Sequence, residues 1–172
     1  DNIISDKLCN SIIKYSGSLQ FQPSTYSTSA GKSSRSEEKV KMDDIWFRNG
    51  EPFYENLNWC FLEVIKKYQK EHPLFVCQRH TDFRLNKYSE GGFMGRHVDN
   101  IHHSHGQQYG YPQVSALLFL NDDYDGGEFV ISDAEYNPKK GSAIIFPSNF
   151  MFPHEVKKVK KGTRYSIVTW LM

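Results

Sequence analysis

The spacing of hydrophobic positions changes part-way along this chain. Near the start, Leu8, Ile12, Ile13 and Tyr15 fall largely on one side of a 3.6-residue turn. Ser5 or Asp6 can cap that run and Gly17 can stop it, so a helix is predicted up to about Ser16. A longer helical pattern covers residues 53–71. Leu57, Phe61, Val64, Ile65 and Tyr68 return at spacings of three or four, and Pro73 closes the segment. Between the two, residues 24–38 are rich in Ser and Thr and poor in apolar side chains. They predict a mobile loop ahead of the strand-like Ile45-Trp46-Phe47.

Beyond residue 82 the period becomes two. Apolar runs at 83–87, 114–120, 129–131, 143–146 and 165–171 are bounded by turn residues such as Glu90-Gly91-Gly92, Asp125-Gly126-Gly127 and Lys161-Gly162. Two helices followed by many short strands predict an α+β domain, mostly β, built on a sandwich or open barrel. No internal repeat and no second domain is visible. Residues 1–172 therefore read as one domain, with 1–81 as helical support and a candidate lid over 24–38, and 82–172 as the β-core that carries the chemistry.

Composition narrows the function classes. A formal net charge of +1 leaves no basic footprint of the kind a nucleic acid needs. No apolar run approaches the ~20 residues that span a bilayer, and the first residues lack a signal-peptide pattern, so a cytoplasmic location is expected. Cys9, Cys60 and Cys77 are an odd number at wide spacings, which reads as free thiols in a reducing compartment.

The chemistry lies in the β-half. His97 and Asp99 are two apart, so in extended backbone both side chains leave the same side. His154 follows a strand-like run and an aromatic turn, and Arg164 comes ten positions later. Two imidazoles and one carboxylate can hold a metal on one face and leave the opposite face open, the arrangement of non-haem Fe(II) oxygenases. Arg164 stays charged even when buried and can grip a carboxylate with two parallel hydrogen bonds. Alternation puts Ser166 and Val168 on its face, and Tyr88 can offer a phenol from a neighbouring strand. His102, His103 and His105 crowd into a polar stretch and read as solvated loop histidines, while His72 and His80 have no constellation around them.

Several segments together resemble the Fe(II)/2-oxoglutarate oxygenases and, within them, the prolyl 4-hydroxylase branch. They are Tyr88-Ser89-Glu90-Gly91-Gly92, Gly95-Arg96-His97-Val98-Asp99-Asn100, Leu118-Phe119-Leu120-Asn121, Tyr124-Asp125-Gly126-Gly127-Glu128, Pro153-His154-Glu155-Val156 and Thr163-Arg164-Tyr165-Ser166-Ile167-Val168-Thr169-Trp170. The resemblance covers residues 82–172 and is vague before them. It implies a distorted double-stranded β-helix, jelly-roll or cupin-like, with the N-terminal and central helices packed on one sheet. It implies that His97, Asp99 and His154 bind Fe(II), and that 2-oxoglutarate chelates the metal and pairs its distal carboxylate with Arg164, helped by Ser166 and Tyr88. Trp170 matches a position near the substrate, Arg96 is a second candidate for substrate contact, and residues 24–44 lie where relatives close a loop over a peptide.

The implied reaction consumes O2, with ascorbate (vitamin C) as reductant, and hydroxylates a proline-containing peptide or protein. Collagen-type members usually carry Lys at the place of Arg164, whereas hypoxia-sensing enzymes and a bacterial group carry Arg. The hypoxia-sensing enzymes have Tyr where this chain has Phe119, which removes one phenol from the co-substrate pocket and leaves the sub-branch open. Two rivals stand beside this reading: the same chemistry on a free amino acid, small metabolite or alkylated nucleobase, and a non-catalytic metal- or ligand-binding β-barrel. A zinc hydrolase could use the same ligand types but leaves Arg164 without a role.

Overall fold

The computed structural model describes residues 2–27, 33–34, 38–99 and 111–172. Helix α1 (Asp6–Ser16) starts where Ser5 Oγ accepts the Leu8 amide at 3.3 Å and ends at Gly17, whose N–H closes on Ile13. Asp6 in its first turn and Lys14 in its last both suit the helix dipole. Helix α2 (Tyr54–Glu71) is entered through Phe53, which holds a left-handed φ of 69°. That backbone is unfavourable for an aromatic residue. The Phe53 ring is packed against Tyr15 and Phe47, at 5.4 and 6.4 Å between centroids, and these contacts hold the entry in place.

The period-two half forms two antiparallel sheets. The main strands are β1 (Asp43–Phe47), β2 (Phe83–Tyr88), β3 (Phe93–His97), β4 (Val114–Phe119), β5 (Phe129–Ile131), β6 (Ala143–Pro147), β7 (His154–Val156) and β8 (Arg164–Leu171). The larger sheet runs Gln22–Pro23, β1, β2, β8, β4, β6. The smaller runs Ala134–Tyr136, β5, β7, β3, Val40–Lys41. Alternation on the larger sheet separates two cores. Phe47, Phe83, Leu85, Leu118, Ile167 and Leu171 face both helices, meeting Ile12, Leu57, Phe61 and Val64. Tyr88, Leu117, Phe119, Val168 and Trp170 face the smaller sheet, meeting Met94, Phe129, Ile131 and Val156. The expected placement of both helices on one sheet is met.

Some details depart from the sequence reading. β3 and β7 carry the key histidines but were not predicted as strands, because three to five residues of mixed polarity give no clear alternation. Asp125–Gly126, expected as a turn, pairs with Val159–Lys161. In the expected loop at 24–38, Tyr26–Ser27 pairs with Ser33–Ser34, and Ser24 is buried with its N–H on Met42. The tip of that segment, and with it the idea of a mobile lid, lies outside the described residues, as do His102, His103 and His105. No helix among the described residues is long and apolar enough to cross a membrane.

Phe61 ties α2 to the sheet, stacked on Phe83 at 5.1 Å and 3° between planes. Phe61→Ala is expected to destabilise the protein by about 3–5 kcal/mol through lost burial and the cavity left behind. Urea denaturation followed by circular dichroism reads this as a lower midpoint at unchanged slope; a loss under ~1 kcal/mol would show that the helix is not anchored there.

Candidate active site

β3 brings His97 to the inner face by a register shift. Across the β7 ladder, His154 pairs with His97 and Val156 pairs with Met94. Three steps on β3 therefore oppose two on β7, which is a β-bulge. Without the extra residue Met94 and His97 would point to opposite faces; with it, both line one cavity. Gly95 lies within the bulge because the Lys39 carbonyl presses on it. A Cβ there would sit 2.9 Å from that oxygen, and the Gly95 N–H donates to it at 2.7 Å.

Each imidazole is oriented from behind. His97 Nδ1 donates to the Gly95 carbonyl at 2.8 Å, and His154 Nδ1 to the Phe152 carbonyl at 3.3 Å. This tautomer leaves the Nε2 lone pair of each ring directed at the cavity, the arrangement that metal-binding histidines use. Asp99, just past the end of β3, completes the group. Its Oδ1 lies 3.4 Å from His97 Nε2 and its Oδ2 3.4 Å from His154 Nε2. One ligand atom from each of the three falls within 4.8 Å of the others. Donors held ~2.1 Å from a common ion are roughly 3.0–3.5 Å apart, so the spacing and the donor chemistry both fit a divalent transition metal.

Asp99 is buried. Burial raises its carboxyl pKa, but the two histidines pull it down further, so it rests well below the usual carboxylate range. For His154 burial lowers the pKa and Asp99 raises it by more, leaving it above the ordinary imidazole value. Ser115 Oγ donates to Asp99 Oδ2 at 2.6 Å and also lies 2.8 Å from Ser148 Oγ, both serines being fully buried. Phe146 and Phe129 pack on the His154 ring at 4.9 and 5.8 Å.

Arg164 is also fully buried, opposite Tyr88 in the β2–β8 register. Its Nη1 donates to Ser166 Oγ at 3.0 Å, while Nε and Nη2 have no hydrogen-bond partner. The guanidinium lies 5.1 Å from the Tyr88 ring and 5.3 Å from the Phe119 ring. Gly127, at φ +66°, packs on its stem: a Cβ there would stand 3.0 Å from Arg164 Cδ and 3.2 Å from Tyr124 Cε2. A buried cation with idle donors is costly unless an anion completes it, so this socket suits a carboxylate. Burial pushes the Tyr88 and Tyr124 phenols up, and the Arg164 charge opposes that in both.

The cavity at the metal group has a volume of about 30 Å³, room for a water or two. Tyr88 both lines it and flanks the Arg164 guanidinium. His97, Asp99, His154, Tyr88, Ser166, Arg164 and Trp170 thus gather on facing sides of the two sheets. Arg96 does not join them. It is half-exposed, 3.7 Å from the fully exposed Asp133, and off the cavity wall. Sequence reasoning missed Ser115, Ser148, Arg84 and Asn86. The alternation that buries Phe83 and Leu85 against the helices also sends Arg84 and Asn86 inward, a signal that was available in 83–88.

A family model for the 2OG-Fe(II) oxygenase superfamily matches residues 83–172. A PKHD-type hydroxylase of Hyphomonas neptunium is 36% identical over 121 residues, covering 63% of this chain and 52% of that protein. Prolyl 3-hydroxylase 2 of Mus musculus is 41% identical over 69 residues, 36% of this chain and 10% of that protein. The chain spans about half the length of the PKHD-type relatives it matches. Among solved structures, a Pseudomonas putida prolyl-4-hydroxylase superposes with a TM-score of 0.73 at 18% identity, over 99% of this chain and 88% of that one. A Trichoplax adhaerens prolyl hydroxylase, in complex with a hypoxia inducible factor peptide fragment, gives 0.78 at 18% identity over 100% and 81%. At that identity the likeness establishes the shared fold.

Ser115→Ala removes the shortest hydrogen bond to the buried Asp99 carboxylate. Affinity for Co(II), used as an air-stable probe of the group, is expected to fall about 10- to 100-fold. Absorbance titration measures it, and an affinity within twofold of the parent would remove Ser115 from the support of this site.

Proposed function

The chain belongs to the 2OG-Fe(II) oxygenase superfamily, and from that premise we propose that it hydroxylates a proline-containing peptide, most simply at the 4-position. We read the two facing sheets as the distorted double-stranded β-helix of the prolyl hydroxylases. The observation that carries the proposal is the pairing of two features on facing sides of one sandwich. One is a His-Asp-His group with both Nε2 atoms turned inward; the other is a buried guanidinium with two idle nitrogens.

In this reading His97, Asp99 and His154 hold Fe(II), and Arg164, with Ser166 and Tyr88 beside it, takes the distal carboxylate of 2-oxoglutarate. When bound, iron, 2-oxoglutarate and O2 supply the oxidising equivalent that hydroxylates an unactivated C–H bond, with succinate and CO2 as co-products and ascorbate as maintaining reductant. The chain's own contribution is orientation and exclusion of water. Ser115 fixes the carboxylate, the Gly95 and Phe152 carbonyls fix the imidazoles, and Leu117, Phe129, Val156 and Val168 give the cavity apolar walls. No side chain has to move a proton for the hydrogen transfer itself. A reducing cytoplasm suits the three free thiols.

Hydroxylation at the 3-position has its own support in the 41% identity to a prolyl 3-hydroxylase over 69 residues. A panel of proline-containing peptides, read by a mass gain of one oxygen and by amino-acid analysis of 3- against 4-hydroxyproline, decides between them. Turnover of only free amino acids or small metabolites would replace the peptide. An anaerobic mixture of protein, Fe(II) and 2-oxoglutarate should give a weak visible charge-transfer band that air bleaches; its absence would favour a non-catalytic metal-binding barrel.

His97→Ala and His154→Ala are each expected to abolish succinate formation; substantial turnover at unchanged iron occupancy would refute the ligand assignment. Arg164→Ala should chiefly raise the KM for 2-oxoglutarate. Loss of a desolvated charge-assisted contact is worth on the order of 2–5 kcal/mol, which corresponds to about 30-fold or more. An unchanged KM would take Arg164 out of the socket.

A further inference from the structure

The cavity wall holds a second, partly buried cation that the proposed chemistry leaves unused. Arg84 and Asn86 lie on the inward face of β2, in line with Tyr88. Asn86 is 3% exposed, and its carboxamide oxygen has no hydrogen-bond donor. The Arg84 guanidinium lies 4.7 Å from the Trp170 ring and 6.0 Å from the Trp46 ring. Its Nε is buried without an acceptor, and no carboxylate pairs with it among the described residues. Aromatic faces hold a guanidinium well but leave its in-plane N–H groups unsatisfied. Those donors are suited to a planar, two-oxygen acceptor.

Position separates this cation from Arg164. Arg164 stands opposite Tyr88 in the ladder and Arg84 opposite Val168. That is four residues along β2, about 13 Å between backbones. The metal group, Arg84, Asn86 and Trp170 all line the same cavity, whereas Arg164 lies behind Tyr88. We propose that Arg84 and Asn86 are the substrate-recognition pair, and that the substrate brings a carboxylate to them beside the carbon to be hydroxylated. Arg84 takes that carboxylate, the Asn86 oxygen takes a neighbouring N–H, and Trp170 supplies an apolar floor for a ring. The inference rests on the oxygenase reading above and names its substrate class: a proline that is itself C-terminal, or one flanked by an acidic residue.

The test uses the Fe(II)-loaded protein with 2-oxoglutarate under anaerobic conditions and four peptides on one core. Two end in proline, as the free acid and as the amide. Two carry an internal proline beside Glu or beside Gln. Binding is followed by calorimetry. In at least one pair the acidic member should bind roughly 10- to 100-fold more tightly than its neutral partner, and which pair does so identifies the source of the carboxylate. Arg84→Gln should bring that preference to within twofold, and Arg84→Lys should keep part of it. Equal binding of acid and neutral peptides by the parent protein overturns the proposal. So does an Arg84→Gln protein whose KM for 2-oxoglutarate rises while its peptide preference is kept. The 2-oxoglutarate charge-transfer band separates the two levels. If it forms and the peptides bind alike, only the assignment to Arg84 and Asn86 falls; if it never forms, the oxygenase reading falls and takes this inference with it.

Discussion

A buried carboxylate between two β-sheets sets the terms for everything around it. Asp99 is shielded from water, and an isolated ionised carboxylate in such a place costs several kcal/mol. Three neighbours offset that cost. His97 and His154 each bring an Nε2 to 3.4 Å, and Ser115 brings a hydroxyl to 2.6 Å. The result is an acid held ionised well below its usual range and an imidazole held above its own. Those directions describe the ion-pair state of a metal-free group. The same three donors, with the imidazoles neutral, are what a divalent cation requires, so metal and proton compete for one arrangement that the fold has already built.

That arrangement is a matter of register. On the larger sheet, ladder rows place Tyr88 beside Arg164, then Asn86 beside Ser166 and Phe119, then Trp46 beside Arg84, Val168 and Leu117. A one-residue slip in any strand would send its polar groups into the helix-facing core. The helix-facing set is led by Phe83, Leu85, Ile167 and Leu118, so the helices act as a register lock as well as a cover. On the smaller sheet the bulge at Gly95 does the opposite job: it breaks the alternation once, where the chain needs His97 turned inward one residue out of phase.

The elements most readable from sequence were the long ones with many buried apolar positions. The helix at 53–71 announces itself because its apolar positions agree on one face, and the strand at 165–171 because it is a long run buried on both faces. The His-Asp-His group was readable for a different reason: His, Asp and His with a following Arg are chemically unusual enough to stand out without geometry. Arg164 was placed correctly inward because Ile167 and Val168 fix the phase of its strand. Ser115 and Ser148 were not readable in the same way, because polar residues of ordinary type inside apolar runs carry no local signal of their function. For Arg84 and Asn86 the alternation of 83–88 marks the inward face, but only pairing across strands shows what they touch. Arg96 stays off the cavity wall for a related reason. The bulge that rotates His97 inward leaves its immediate neighbour outside.

What remains after the hydrophobic terms are counted is a set of polar atoms the fold does not satisfy by itself. Arg164 Nε and Nη2, Arg84 Nε and Asn86 Oδ1 are buried without partners, and all belong to side chains on the inner face of two adjacent strands. Each such group costs about 1–3 kcal/mol, and more when charged. A folded chain tolerates that only if the rest of the structure over-determines it, and here two apolar cores and an antiparallel ladder do so. Ligands that bring a carboxylate to the guanidinium nitrogens and an N–H to the Asn86 oxygen would bind the native state alone, so their binding energy would add directly to its stability. Recognition and folding thus draw on the same unsatisfied polar atoms: the groups that weaken the fold are those suited to a ligand.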